Sequence, residues 1–249
     1  MKRVSLVIRT ELREMKRSEV FGILTAVAVV LAAVAAIAIP IVLRTRPWLG
    51  HSGTEPILEL VVGLVFYFLP LFIVFAFTWA FTGEAIAREK VAGITECLLA
   101  TPLDPKLLWL GKSLAIFLPA YGLAILGSLV VAITINVAAV VPALGVFVLP
   151  PAAMVTGLVL NPLFFFALHS FSVLFALARN PDIAAVPAIL VAFVLMHGVP
   201  LGLGMEIFDF AAWSFAGWYL GATVAAWAVV LSLSGMLKKE RIVLSARGS

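Results

Sequence analysis

From Ser113 to Ala178 the chain carries no Asp, Glu, Lys or Arg. A soluble fold cannot accommodate such a run, because it must place polar side chains at regular intervals to solvate its outer surface. The remaining composition agrees: 63% of the 249 residues are hydrophobic and 12% are charged, against about 25% charged in an ordinary soluble domain. A hydrocarbon core of about 30 Å takes about 20 apolar helical residues per crossing. Backbone groups must pair internally there, which leaves helices or a closed barrel. The apolar runs are long and lack the alternation of barrel strands. The expected fold class is therefore all-α, a polytopic integral membrane protein with about six spans in one transmembrane domain, residues 1–249.

Residues 2–19 hold six basic and three acidic side chains. Val4, Ile8, Leu12 and Met15 recur at helical spacing, with Arg9, Arg13, Lys16 and Arg17 elsewhere around the helix. The pattern predicts an amphipathic interfacial helix over 1–19, on the inner leaflet where basic residues meet anionic lipid; a solvated lead-in is the other reading. Span one runs from Val20 to Leu43 and is broken by Arg44, Arg46, Pro47 and Gly50. Glu55 and Pro56 open the next helix. Glu59 either complements its dipole or contacts an ion or substrate at the outer mouth. Span two covers Ile57 to Phe81, with Pro70 as a kink. Pro142 and Pro150-Pro151 mark a turn region, placing span three at 107–136 and span four at 152–178, the latter broken at Asn161-Pro162. Span five follows from Ile183 to Val199. Residues 200–212 read as an outer re-entrant or surface-lying piece, before span six at 213–237 and a cytoplasmic tail at 238–249.

Charge bias orients this arrangement. Six spans put every basic residue except Arg44 and Arg46 on the side of the termini. The excess of Lys and Arg on cytoplasmic loops then places both termini in the cytoplasm of a multi-pass plasma-membrane protein. A seventh span would send Lys238, Lys239, Arg241 and Arg247 outside. Trp48, Trp79, Trp109 and Trp213 fall at the expected membrane boundaries, where indole rings are favoured.

Few motifs carry chemistry. Gly111-Lys112-Ser113 resembles the tail of a phosphate-binding loop, but the glycine required five residues earlier is Lys106, and the triplet opens a span instead of following a strand. With no nucleotide-binding motif, the chain is not expected to be an enzyme, and any ATP must bind another subunit. Cys97 stands alone, so no intrachain disulfide forms. His169 and His197 lie in spans without nearby acids, which makes hydrogen-bonded buried histidines the favoured reading and an intramembrane enzyme using them the alternative. Tyr67, Asn161 and His169 are candidates for a polar substrate pathway, since intramembrane polar groups face a cavity or a neighbouring helix. Gly217, Gly221 and Ala225 form a small-residue stripe on span six, for packing within the subunit or against a second one.

The strongest signal lies between spans two and three, where residues 82–112 form the only long polar stretch inside the chain. They read as a charged helix leaving span two, a break at Gly93, and a short amphipathic helix stopped by Pro102. Asp104 then serves as an N-cap, with Pro105 as first residue of the next helix. The result is a helical hairpin over 82–106 joined directly to two spans. Arg88-Glu89-Lys90, then Gly93, Glu96, Leu98-Leu99, Thr101-Pro102 and Gly111-Lys112, resembles the cytoplasmic signature of ABC-2 type transporter permeases. The family threonine after the glycine is Ile94 here, with Thr95 one place on. The resemblance implies that the hairpin is a coupling helix seated in a partner ATPase, through Glu89, Lys90, Gly93, Thr95, Glu96 and Leu99. It further implies two ABC ATPase subunits carrying ATP and Mg, a second copy of this chain or a paralogous permease, and export as the direction. A non-transporting membrane anchor for an ATPase is the remaining alternative. No cofactor is expected on the chain itself, its other partners are membrane lipids, and no nucleic acid is implied.

Overall fold

Apolar sequence at hydrocarbon depth has only its own backbone to bond with, and helices result. A computed structural model describes residues 2–49, 51, 53–82, 104–178, 186–205 and 207–238. Among these every regular element is helical. The order is α1 (Lys2–Arg17), α2 (Glu19–Arg44), α3 (Glu55–Thr82), α4 (Pro105–Ile135), a π turn (Asn136–Val140), α5 (Val141–Leu144), α6 (Pro151–Val155), a second π turn (Thr156–Leu160), α7 (Asn161–Ala178), α8 (Val186–Gly204), α9 (Trp213–Leu233) and a closing 3₁₀ turn (Ser234–Met236). Five helical stretches are long and apolar enough to cross a membrane: Glu19–Arg44, Glu55–Phe81, Pro105–Leu144, Pro151–Ala178 and Trp213–Met236. The apolar α8, 19 residues long, stands beside them.

Several boundaries differ from the sequence reading. Helix continues through Pro142 to Leu144 and ends only at Gly145, whose φ of +71° suits a residue without a Cβ. Asn161-Pro162 does not break span four. A π turn precedes each X-Pro pair, closed by Val141 N–H donating to Asn136 O and by Asn161 N–H donating to Thr156 O. A proline ring crowds the carbonyl four residues back and offers it no N–H; one extra residue in the preceding turn relieves that crowding. Of span five the described part, α8, runs on past Val199 to Gly204, taking the first part of 200–212 into the helix. Of the remainder, Phe210 is buried against α3. The Phe210 Cβ lies 3.4 Å from where a Cβ on Gly63 would stand, eight residues into α3 and hence about 12 Å below its first turn.

Small residues set the packing. On α4, Ala120, Ala124, Ser128 and Ala132 recur every four residues and are all buried. On α2 the buried face is Ala28, Ala32 and Ala36, and Ala32 meets α4 at Gly127. Such stripes let helix axes approach closely where water supplies no hydrophobic drive. The outward faces stay apolar, as with Ile23, Leu126 and Leu190, each more than 60% exposed, which suits lipid contact. The Gly217–Gly221–Ala225 stripe faces away from its own bundle: all three are exposed, and nothing lies within 4 Å of a Cβ placed on either glycine.

α1 also departs from expectation. Its inward face is Val7, Glu11 and Met15, with Ile8 and Leu12 half-buried, so much of the apolar stripe meets protein and not lipid. Val7 sits on Gly111 of α4, where a Cβ would stand 2.6 Å from its Cγ1. One turn along, Glu11 pairs with Lys112 at 2.6 Å. Trp109 is no interfacial anchor either; it is buried, and its Nε1–H donates to Ser170 O at 2.7 Å.

Candidate intramembrane site

Two prolines and an asparagine organise a buried polar node inside the bundle. Pro70 in α3 cannot supply an N–H to Phe66 O, four residues earlier. Gly157, in the second π turn, lies directly against that peptide: a Cβ there would stand 2.1 Å from Phe66 O. Only a glycine permits this approach, and it brings α7 up to the α3 backbone. Asn161 then reaches across, its Nδ2 donating to Tyr67 O at 2.8 Å. Its Oδ1 accepts the Tyr219 hydroxyl of α9 at 2.9 Å. One fully buried amide thus ties three spans together.

Pro162 contributes a second tie. It leaves Leu158 O, four residues back, without an N–H from its own position, and that carbonyl accepts the Tyr121 hydroxyl of α4 at 2.9 Å. Rings enclose the node on its outer side: Tyr67 lies 5.2 Å from Phe210 and 6.1 Å from Tyr219, centroid to centroid, and Phe210 lies 4.9 Å from Phe215. The Tyr67 hydroxyl is buried near that of Tyr219 without closing a hydrogen bond of sound geometry. The arrangement packs two buried tyrosine hydroxyls and one amide against an aromatic wall in the core of the bundle.

The sequence candidates separate. Tyr67 and Asn161 meet, through the tyrosine's backbone oxygen and not its ring. His169 is fully buried but stands eight residues further along α7, about 12 Å from Asn161, beside the backbone of Ser113. His197 is exposed, with its ring stacked 4.1 Å from Phe193 and Nδ1 2.9 Å from Phe193 O. Among the described residues no three His, Cys, Asp or Glu side chains gather as a metal site.

Glu89, Lys90, Gly93, Thr95, Glu96 and Leu99 lie outside the described residues. What is described is the exit of their segment into α4. There Asp104 is extended at φ −73° and ψ 130°, and its Oδ1 accepts Lys106 N–H at 2.9 Å with Pro105 opening the helix, as the cap pattern requires.

Sequence reasoning missed Tyr219, Gly157 and the Glu11–Lys112 pair. Tyr219 had a usable signal, being one of three tyrosines and placed within a span. Asn136 carried a similar one: its amide brackets Val148, accepting the N–H at 2.7 Å and donating to the carbonyl at 3.0 Å, and so holds the loop after α5. No protein-family model, curated protein or solved structure matches this chain.

Proposed function

We propose that the chain is the membrane-spanning permease subunit of an ATP-driven ABC-2 type transporter, working as an exporter and energised by separate ATPase subunits. Both termini lie in the cytoplasm of a plasma-membrane protein, and a second copy or a paralogous permease completes the pathway. The observation that supports this reading most is the continuity of Pro105–Leu144, a helical run of 40 residues that leaves the signature-bearing segment at a formed cap. A push on the hairpin reaches the far side of the bundle along this rod. On the way it passes Tyr121, whose hydroxyl holds Leu158 O beside the polar node. In this reading the node residues Tyr67, Asn161 and Tyr219 belong to the substrate path, and the rearrangement is a shift between two packed states of the spans.

The test is co-expression with an ABC ATPase. The lone chain neither binds nor hydrolyses ATP, and it co-purifies with the ATPase. Glu96→Arg weakens that association, since losing one partner of a charged interface contact costs about 2–5 kcal/mol, while Glu84→Arg has the smaller effect. ATP hydrolysis by the lone chain, or full assembly and transport with Glu96→Arg, overturns the assignment.

A further inference from the structure

The inward face of α1 is spent on protein. Val7 is seated on Gly111, Met15 joins the core, and Glu11 is paired with Lys112. This fixes the rotation of the helix about its own axis. Arg9, Arg13, Lys16 and Arg17 then fall together on the opposite face, all exposed, at i, i+4, i+7 and i+8. Among the described residues none of the four forms an ion pair, and the one inward carboxylate of the helix is already matched by Lys112. Glu14 is exposed as well, beside the stripe.

The chain places the Arg17 end of this stripe at headgroup depth. Arg17 is followed by Ser18 and then by α2, whose Val20 and Ile23 are 43% and 61% exposed. These apolar side chains need hydrocarbon within about 9 Å of Arg17 along the chain axis. A row of unpaired cations at that depth faces lipid phosphates, whose attraction for each Lys or Arg extends over about a Debye length.

We propose that α1 is a surface-charge reader: Arg9, Arg13, Lys16 and Arg17 bind the anionic headgroups of the adjoining leaflet by charge alone, in a setting fixed by the Glu11–Lys112 pair. This differs from an amphipathic helix that inserts its apolar face, because that face is already buried in the bundle. It also gives Gly111-Lys112 a role independent of any ATPase: the glycine is the seat of α1 and the lysine its counter-ion.

The full chain is reconstituted in bilayers of equal parts phosphatidylcholine and phosphatidylglycerol and extracted with its lipid shell by a styrene–maleic acid polymer. Mass spectrometry reads the ratio of the two lipids retained. The parent protein enriches phosphatidylglycerol, and added salt removes the enrichment. Arg9→Gln/Arg13→Gln/Lys16→Gln/Arg17→Gln loses it, each charge weakening retention ~5-fold. Leu6→Ala, which removes an apolar side chain 68% exposed beside the stripe, leaves it unchanged. Enrichment that survives the four-fold substitution or the salt overturns the proposal, as does its loss in Leu6→Ala, which would mean insertion. If the four-fold variant keeps its lipid but loses a co-expressed ATPase, the stripe is a protein-docking surface and the proposal is likewise overturned.

Discussion

Gly157 and Gly122 both interrupt helical sequence, and their surroundings assign them opposite tasks. Gly157 touches the Phe66 peptide, whereas Gly122 is exposed with nothing within 4 Å of a Cβ. Gly122→Ala therefore stabilises its helix by about 0.5–1 kcal/mol, while Gly157→Ala forces α7 off α3 and destabilises by about 1–3 kcal/mol. Unfolding of the detergent-purified chain measures both, and equal effects would place Gly157 away from Phe66. Asn161→Leu tests the neighbouring amide. It strands the buried Tyr219 hydroxyl, a group costing about 1–3 kcal/mol when left unpaired, and removes the interhelix bond to Tyr67 O. Tyr219→Phe removes one donor only and costs about 0.6 kcal/mol, the average for hydrogen bonds between membrane helices. A loss at Tyr219→Phe as large as that at Asn161→Leu would dissolve the three-helix tie.

At the scale of elements, the segment between α8 and α9 offers a direct check. The 3.4 Å between the Phe210 Cβ and the Cβ position of Gly63 is close to the separation of about 3.5–4.5 Å found in disulfides. Gly63→Cys/Phe210→Cys, with Cys97→Ser removing the native thiol, cross-links under mild oxidation; Gly63→Cys paired with Ile207→Cys does so poorly, since Ile207 is 66% exposed. Failure of the first pair would lift the segment out of the bundle. The spans were legible because each is a long apolar run, and span one was placed within a residue at either end. The π turns were not legible, because Asn161-Pro162 and Pro142 are written the same way whether a helix stops or widens. The inward face of α1 escaped notice because period alone does not tell a lipid-facing stripe from a protein-facing one. Of the candidate site, Tyr67 and Asn161 were readable as polar residues in spans. Tyr219 required knowing which helix lies opposite.

For the whole molecule, the testable quantity is sidedness. α1, the start of α4 and the end of α7 share a cluster with Leu233 and Leu237, so Arg9, Arg13, Lys16, Arg17, Lys106, Lys112 and Lys238 gather at one end of the bundle. Arg44, the last residue of α2, and Arg46 just past it stand at the other. With Cys97→Ser as parent, cysteine at position 51 is modified by an impermeant reagent in intact cells, and cysteine at position 104 only after permeabilisation. Modification of both from outside would reverse or break the proposed topology.

The length of Pro105–Leu144 has a consequence of its own. Forty residues at 1.5 Å each make a rod of about 60 Å, while the hydrocarbon slab is about 30 Å thick. Such a helix outruns the slab, so it leans, bends at Pro119 or the π turn, extends past the hydrocarbon, or the bilayer thickens around it. The angle at which it leans is then set partly by the lipids and not by the protein alone. A thinner membrane lays the rod flatter and a thicker one raises it, so bilayer thickness becomes a mechanical input to the molecule.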